Sequence, residues 1–487
     1  MFEALGILPG SFWLAAVLLL GGALWALGQI RQGIGLPILA VLATIGAWYV
    51  GDVLYNDYAN THVQLFTPAV LYKAWLQVAW FLLVFLLLTP AIHGSLNQSL
   101  LYRPSQVCRL VENGGVAPLF QSRLNQLFRG VASVWLLLAA IALLRLRDQI
   151  IYYFFPYLGY VADPWAREQI GGGISALLSM AGYLQLFVAM FFGLVAALAR
   201  NGAVRFLALL AVFLTWPNYL LGRTRNVMVA MALPGILAWV FVRLRTPWLI
   251  KIMALAGFFL MTNIWFAFIL TNRTHGTIIG AAFRNEGTNL KESKQTRHEG
   301  LNMFEELCWI SSLIDSGDYK PNYGERYFAE LVNPVPRGLW PGKPFIGYDY
   351  AIARGQGFSA GDSGEMQGVT ATVSTGMIGQ GVVNFGTILG PAFAALLMSL
   401  WAALLARLDL RGQELGNLPL YVLGMVTTFN LGRDITFITL YTFVFGMALV
   451  WWIKRRQTPT EPMRRPPKKS GPAARRPNSQ ESQGAAT

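Results

Sequence analysis

Chemistry is first to be sought in NPVPRGLWPGKPFIGYDY, Asn333 to Tyr350, where Arg337 and Lys343 sit in a proline- and glycine-stiffened stretch. Pro334, Pro336, Pro341 and Pro344 fix φ and remove backbone donors, so the stretch is neither a helix nor a central strand. A planar guanidinium makes paired, charge-assisted hydrogen bonds to phosphate oxygens, and a basic loop of fixed shape therefore suits an anionic headgroup or a diphosphate. Arg223 and Arg225 stand in a very short connection directly before an apolar run. The free N–H groups and dipole of a helix N-terminus favour anions there, although snorkelling to lipid phosphates accounts for the same pair. Arg354 follows the Arg337 stretch, and Arg433 with Asp434 occupies a tight turn between the last two apolar runs.

The elements that must position these groups are apolar. Hydrophobic residues make up 55% of the 487 and charged residues 13%, a balance that excludes an ordinary water-soluble domain and predicts an integral membrane protein. The net charge of +14 would suit nucleic acid in a soluble protein. Here the excess flanks apolar segments and fills the tail, so it reads as membrane orientation and no nucleic-acid partner is expected.

Runs near spanning length, roughly 17 to 25 residues, are Phe12 to Ile30, Leu36 to Tyr55, Ala69 to Ile92, Val131 to Leu146, Ile174 to Ala199, Phe206 to Leu221, Val227 to Val242, Trp248 to Leu270, Asn384 to Ala406, Leu418 to Leu431 and Ile435 to Ile453. The expectation is an all-α polytopic membrane protein of about eleven spans (10 to 12) with one long loop carrying short helices. Residues 1–270 would hold the first eight spans, 271–375 the loop, 376–453 the last three and 454–487 a basic tail. Lys and Arg alternate so that one face collects Arg31, Arg109, Arg123, Arg200, Arg205, Arg243, Lys251, Arg407 and Lys454, and that face is read as cytoplasmic. MFEALGILPG has no Lys or Arg before the first run, so it lacks the start of a cleaved signal peptide and is expected outside.

Several stretches carry simpler readings. His62 is read as a solvated histidine in the outer loop Asn56 to Pro68, and His93 to Gly130 as an interfacial segment drawn to anionic lipid. Aromatic residues between Asp148 and Gly172 form either an interfacial belt or a surface that stacks on sugars. Leu301 to Asp315 has Met303, Phe304, Leu307, Ile310 and Ile314 at helical spacing, which predicts an amphipathic helix, and Tyr323 to Val332 predicts a second, short one. The tail from Lys454 has too little apolar surface to fold. Cys108 and Cys308 face opposite compartments, so no intrachain disulfide is expected, and nothing spaces Cys and His as a metal site requires. No cofactor is expected.

Arg223, Arg225, Arg337, Lys343, Arg354 and Arg433 thus fall on the outer side, where positive residues are normally depleted. A convergent set of cations implies an anionic ligand. No P-loop is present, so the anion is one the membrane delivers, and a lipid-linked diphosphate fits.

GERYFAELVNPVPRGLWPGKP, followed by VNFGTILGP entering a helix, resembles the oligosaccharide repeat-unit polymerases, the Wzy-type O-antigen polymerases of bacterial envelopes. GRTRNVMVAMALPG is similar to that family's arginine-led helix after a short outer loop. The resemblance covers Tyr323 to Pro391 and, more weakly, Gly222 to Gly235. It implies a metal-independent glycosyltransferase at the periplasmic face of the inner membrane, moving a growing glycan from undecaprenyl diphosphate onto the next lipid-linked repeat unit. Arg223, Arg225 and Arg337 would bind the diphosphate, with Lys343 and Arg433 as second choices, and Arg337 would stabilise the leaving charge. Glu365, Asp349 and Asp434 are candidates for a base at the acceptor hydroxyl, although Asp349 and Asp434 are more simply read as partners of a neighbouring arginine. Partners would be the lipid-linked donor and acceptor, the bilayer, and in the cell a flippase and a chain-length regulator. An O-antigen ligase is the nearest alternative, with His298 as its base. A transporter of lipid-linked glycans would instead place charges within the spans.

Overall fold

Long runs of Leu, Val, Ala and Phe without interior charge satisfy their backbone only as helices when water is absent, and each of the eleven apolar runs coincides with helix. The computed structural model describes residues 8–55, 58–98, 111–112, 115–116, 118–151, 173–222, 225–242, 246–273, 303–333, 335, 339–344, 346–355, 373–408 and 417–456. The helices are α1 (Gly10–Gly28), α2 (Gly35–Ile45, continuing through a π turn at Gly46–Val50), α3 (Gly51–Tyr55), α4 (Tyr58–Leu65), α5 (Pro68–Gln98), α6 (Pro118–Leu146), α7 (Gly173–Leu198), α8 (Gly202–Gly222), α9 (Arg225–Val242) and α10 (Trp248–Arg273). After these come α11 (Met303–Ser316), α12 (Glu325–Val332), α13 (Tyr348–Ala353), α14 (Gly376–Arg407), α15 (Asn417–Leu431) and α16 (Phe437–Arg456). Among the described residues the extended structure is a two-residue antiparallel ribbon, Val111–Glu112 with Gly115–Val116.

Four stretches, Gly10–Gly28, Pro68–Leu96, Leu124–Leu146 and Gly376–Arg407, are long and apolar enough to cross a membrane. Leu20, Leu24 and Leu144 on these stretches face outward, and so do Phe206, Phe213, Met253 and Met261 on neighbouring helices. Apolar surface of this extent is not left facing water. The chain is a helical, membrane-embedded, multi-pass protein.

Side-chain contacts fix the direction of the inner helices. Phe12 meets Trp75 at 4.8 Å, and a Cβ on Gly22 would touch Leu86, so α1 and α5 run in parallel. Trp80 Nε1 donates to the Ile388 carbonyl at 3.0 Å and Thr89 to Ser399 at 3.0 Å, so α14 runs alongside α5. The π turn after α2 returns to the first end, where Trp48 Nε1 donates to the Phe429 carbonyl at 2.8 Å and the Ile378 N–H donates to the Tyr49 hydroxyl at 3.0 Å. The start of α1, the start of α14 and the turn between α15 and α16 therefore share one end of the bundle. The basic end of α16 lies at the other.

The predicted loop helices cap that first end. On α11, Met303, Phe304, Leu307, Cys308 and Ile310 are buried, Phe304 stacking on Trp75 at 4.2 Å. Lys73 pairs with Asp315, so both ends of the packing between α5 and α11 are fixed. Two expectations are corrected here. His62 is buried, not solvated, because α4 folds against α11 and places its ring 5.5 Å from that of Phe304. His93 to Gly130 is not one interfacial segment: α5 continues to Gln98 and α6 begins at Pro118.

Helix α14 is broken at Gly386, whose φ of 78° and ψ of −175° are open only to glycine. The break folds residues 376–385 back across 387–407 until the main chains touch. A Cβ on Gly390 would lie 2.4 Å from the Gly381 carbonyl oxygen, a contact with backbone that no rotamer change relieves. Gly390→Ala is expected to cost at least about 1–3 kcal/mol, the range of an overpacked core, read as a lower Tm of the detergent-solubilised protein.

Candidate functional site

Backbone hydrogen bonds set the frame in which the polar groups meet. The Gly376 and Met377 N–H groups donate to the carbonyls of Arg433 and Gly432, at 2.9 and 3.1 Å. The strand of chain entering α14 is thereby tied to the turn before α16. Asp434 reaches inward from that turn and accepts from the Thr375 N–H at 3.1 Å and the Thr375 hydroxyl at 3.0 Å. Arg326, from α12, closes the junction: its Nη2 donates to Asp434 at 3.4 Å and to the Val373 carbonyl at 3.3 Å. Its side chain is only 2% exposed. Gly347, in the left-handed region at φ 66°, lies directly against the guanidinium, and a Cβ there would sit 3.1 Å from Cζ.

Around Arg326 the loop forms a continuous polar layer. Tyr319 donates to Asp349 at 2.6 Å and Asn322 donates to the same carboxylate oxygen at 3.1 Å. Burial, with the Asp349 charge beside it, raises the Tyr319 hydroxyl well above the ordinary phenol range, which keeps it a donor. Glu306 accepts from Tyr350 and, at 3.3 Å, from Arg354, whose guanidinium lies 4.1 Å over the Trp309 ring. Burial still raises the Glu306 carboxyl, Tyr350 and Arg354 opposing that rise. Glu330, one turn after Arg326, is pushed up to about 8 by burial despite the nearby arginine, so it is mostly protonated at neutral pH.

The expected site residues fall into distinct places. Arg433 is exposed and held through its Nε by Ser374 at 2.7 Å. Its neighbour Asp434 turns inward to Arg326, so the arginine's charge stays directed outward. Lys343 is buried, its ammonium donating to the carbonyls of Asn333 at 3.0 Å and Val335 at 2.9 Å. That side chain ties Lys343 back to the chain just after α12. Lys343→Met removes two charge-assisted bonds of about 1.5–3 kcal/mol each. The expected result is faster proteolytic cleavage between residues 333 and 343, with the bundle intact. Asp349 is exposed and oriented by Tyr319 and Asn322, and Asp434 takes the arginine partner that its sequence allowed. Arg354 is engaged by Glu306 and Trp309. Arg223, Arg337, Glu365 and His298 lie outside the described residues, as does the side chain of Arg225, which opens α9.

Arg326, Glu330 and Glu306 were missed by sequence reasoning. A signal for the first two was present: in ERYFAELV the charges four apart share a face with Ala329, and a helix that buries that face must bury both. Among the described residues no group of three or more His, Cys, Asp and Glu could hold a metal ion. Compared with protein-family models, curated proteins and solved structures, the chain matches none.

Proposed function

We propose that this chain is an oligosaccharide repeat-unit polymerase of the Wzy type, a metal-independent glycosyltransferase held in the bacterial inner membrane by about eleven spans. Its loop end faces the periplasm and its basic tail the cytoplasm. The substrates are undecaprenyl-diphosphate-linked glycans that become O-antigen or exopolysaccharide. The observation that carries the reading is Arg433: an exposed guanidinium, anchored at Nε, beside a carboxylate that is turned away to Arg326. Such an arginine keeps its outer nitrogens for an anion.

In the reaction, the acceptor hydroxyl of the incoming lipid-linked repeat attacks the anomeric carbon of the growing glycan. The bond to the diphosphate oxygen breaks, the new glycosidic bond forms, and the hydroxyl proton passes to a base. Arg433 and Arg337, with Arg223 and Arg225, would take the charge growing on the leaving diphosphate. Asp349, exposed and oriented, is the described carboxylate best suited as base; Asp434, held by Thr375 and Arg326, is better suited to positioning Arg433. Glu365 remains a candidate from its sequence alone. A deletion strain tests the reading. It should keep single repeats on the lipid A core while losing long polymer, whereas a ligase deletion would accumulate polymer on the carrier lipid.

A further inference from the structure

Helix α12 is inside out. It buries Arg326, Ala329 and Glu330 and presents Phe328 at 48% and Leu331 at 55% exposure. The turn that follows continues the apolar surface, with Leu339 at 81% exposure and Trp340, its ring 6.2 Å from that of Phe328. A solvated cap would carry the reverse pattern.

The position of α12 identifies what covers this face. Tyr327, between the two sides, packs on Phe385 and Phe393 at 6.3 and 5.3 Å, and its N–H donates to Asn384 at 3.3 Å. The helix thus packs on α14 beside the Gly386 break, and Ile388 and Leu389, which follow that break, are 72% and 67% exposed on the outer surface of the bundle. Trp80, 40% exposed, bonds to the Ile388 carbonyl at the same level. Aromatic residues collect where acyl chains meet headgroups, and apolar side chains left outward at that level are covered by lipid. We propose that Phe328, Leu331, Leu339 and Trp340 form a lipid-contacting surface, seating α12 and residues 339–340 in the interfacial layer of the leaflet at the loop end of the bundle. The occupant is the bilayer itself. This placement does not depend on which reaction the protein performs.

The test is site-directed spin labelling of the full chain in phosphatidylethanolamine–phosphatidylglycerol vesicles. Cys108 is replaced by serine, while Cys308, fully buried, is left in place, and the parent without an added cysteine gives the background labelling. Labels at Leu331→Cys and Leu339→Cys should relax several-fold more with oxygen than with a water-soluble nickel complex, and Glu325→Cys, on the same helix, should show the opposite order. Greater nickel accessibility at both Leu331 and Leu339 would overturn the proposal. So would immobilised labels that neither reagent reaches, the signature of a face covered by protein. Catalytic activity enters neither outcome, so failure of the polymerase reading leaves this result standing.

Discussion

Replacing Arg433 or Arg337 with alanine is expected to abolish long polymer, each losing on the order of 10²–10³ in rate, the usual cost of one donor to developing charge. Arg433 is held in place by its neighbours. Ser374 holds its Nε and Asp434 is committed elsewhere, so the exposed nitrogens are aligned before any anion arrives. Preorganisation of that kind is worth most when charge grows on a leaving diphosphate. Arg433→Lys should recover little, because an ammonium keeps the charge and loses the planar fork. The readout is the length distribution of surface glycan at matched protein levels, and a normal distribution in Arg433→Ala would remove that residue from the site.

Asp434→Ala should be the most destabilising single change at the loop end. It leaves the Arg326 guanidinium buried without its counter-charge and removes the acceptor of both Thr375 bonds. Breaking a buried pair from one side costs about 3–5 kcal/mol, whereas replacing both partners by apolar groups is often neutral. Asp434→Ala is therefore expected to lower the Tm by more than the double change Arg326→Met, Asp434→Leu. Glu330→Gln, removing a carboxyl already near neutral form at pH 7, should be close to silent. Equal losses in the single and double Asp434 variants would show that the junction owes its stability to something other than this pair.

The spanning helices were legible because in a membrane apolar composition alone forces helix, and the cap α11 followed from its apolar spacing. Several features had no sequence signal strong enough to read. The fold-back at Gly386 depends on three glycines, Gly381, Gly386 and Gly390, whose partners are revealed only when two stretches of chain touch. His62 looked solvated because its neighbours are polar, yet the aromatic face of α11 covers it. At the site, the outward cation of Arg433 and the inward carboxylate of Asp434 were legible as a charged turn. Their division of labour was not, since it is set by Arg326, more than a hundred residues earlier, inside a helix whose buried face is charged. Lys343 looked like a ligand cation by type and position; its burial against two carbonyls assigns it to a tie back to the chain after α12.

The proposed transfer of a glycan between two lipid diphosphates is tested without other components by purified protein with a single defined undecaprenyl-diphosphate-linked repeat unit. A ladder of products increasing by one repeat, with release of undecaprenyl diphosphate, is expected in the presence of a metal chelator. A starting material left unextended by protein that remains folded and membrane-inserted would rule that transfer out.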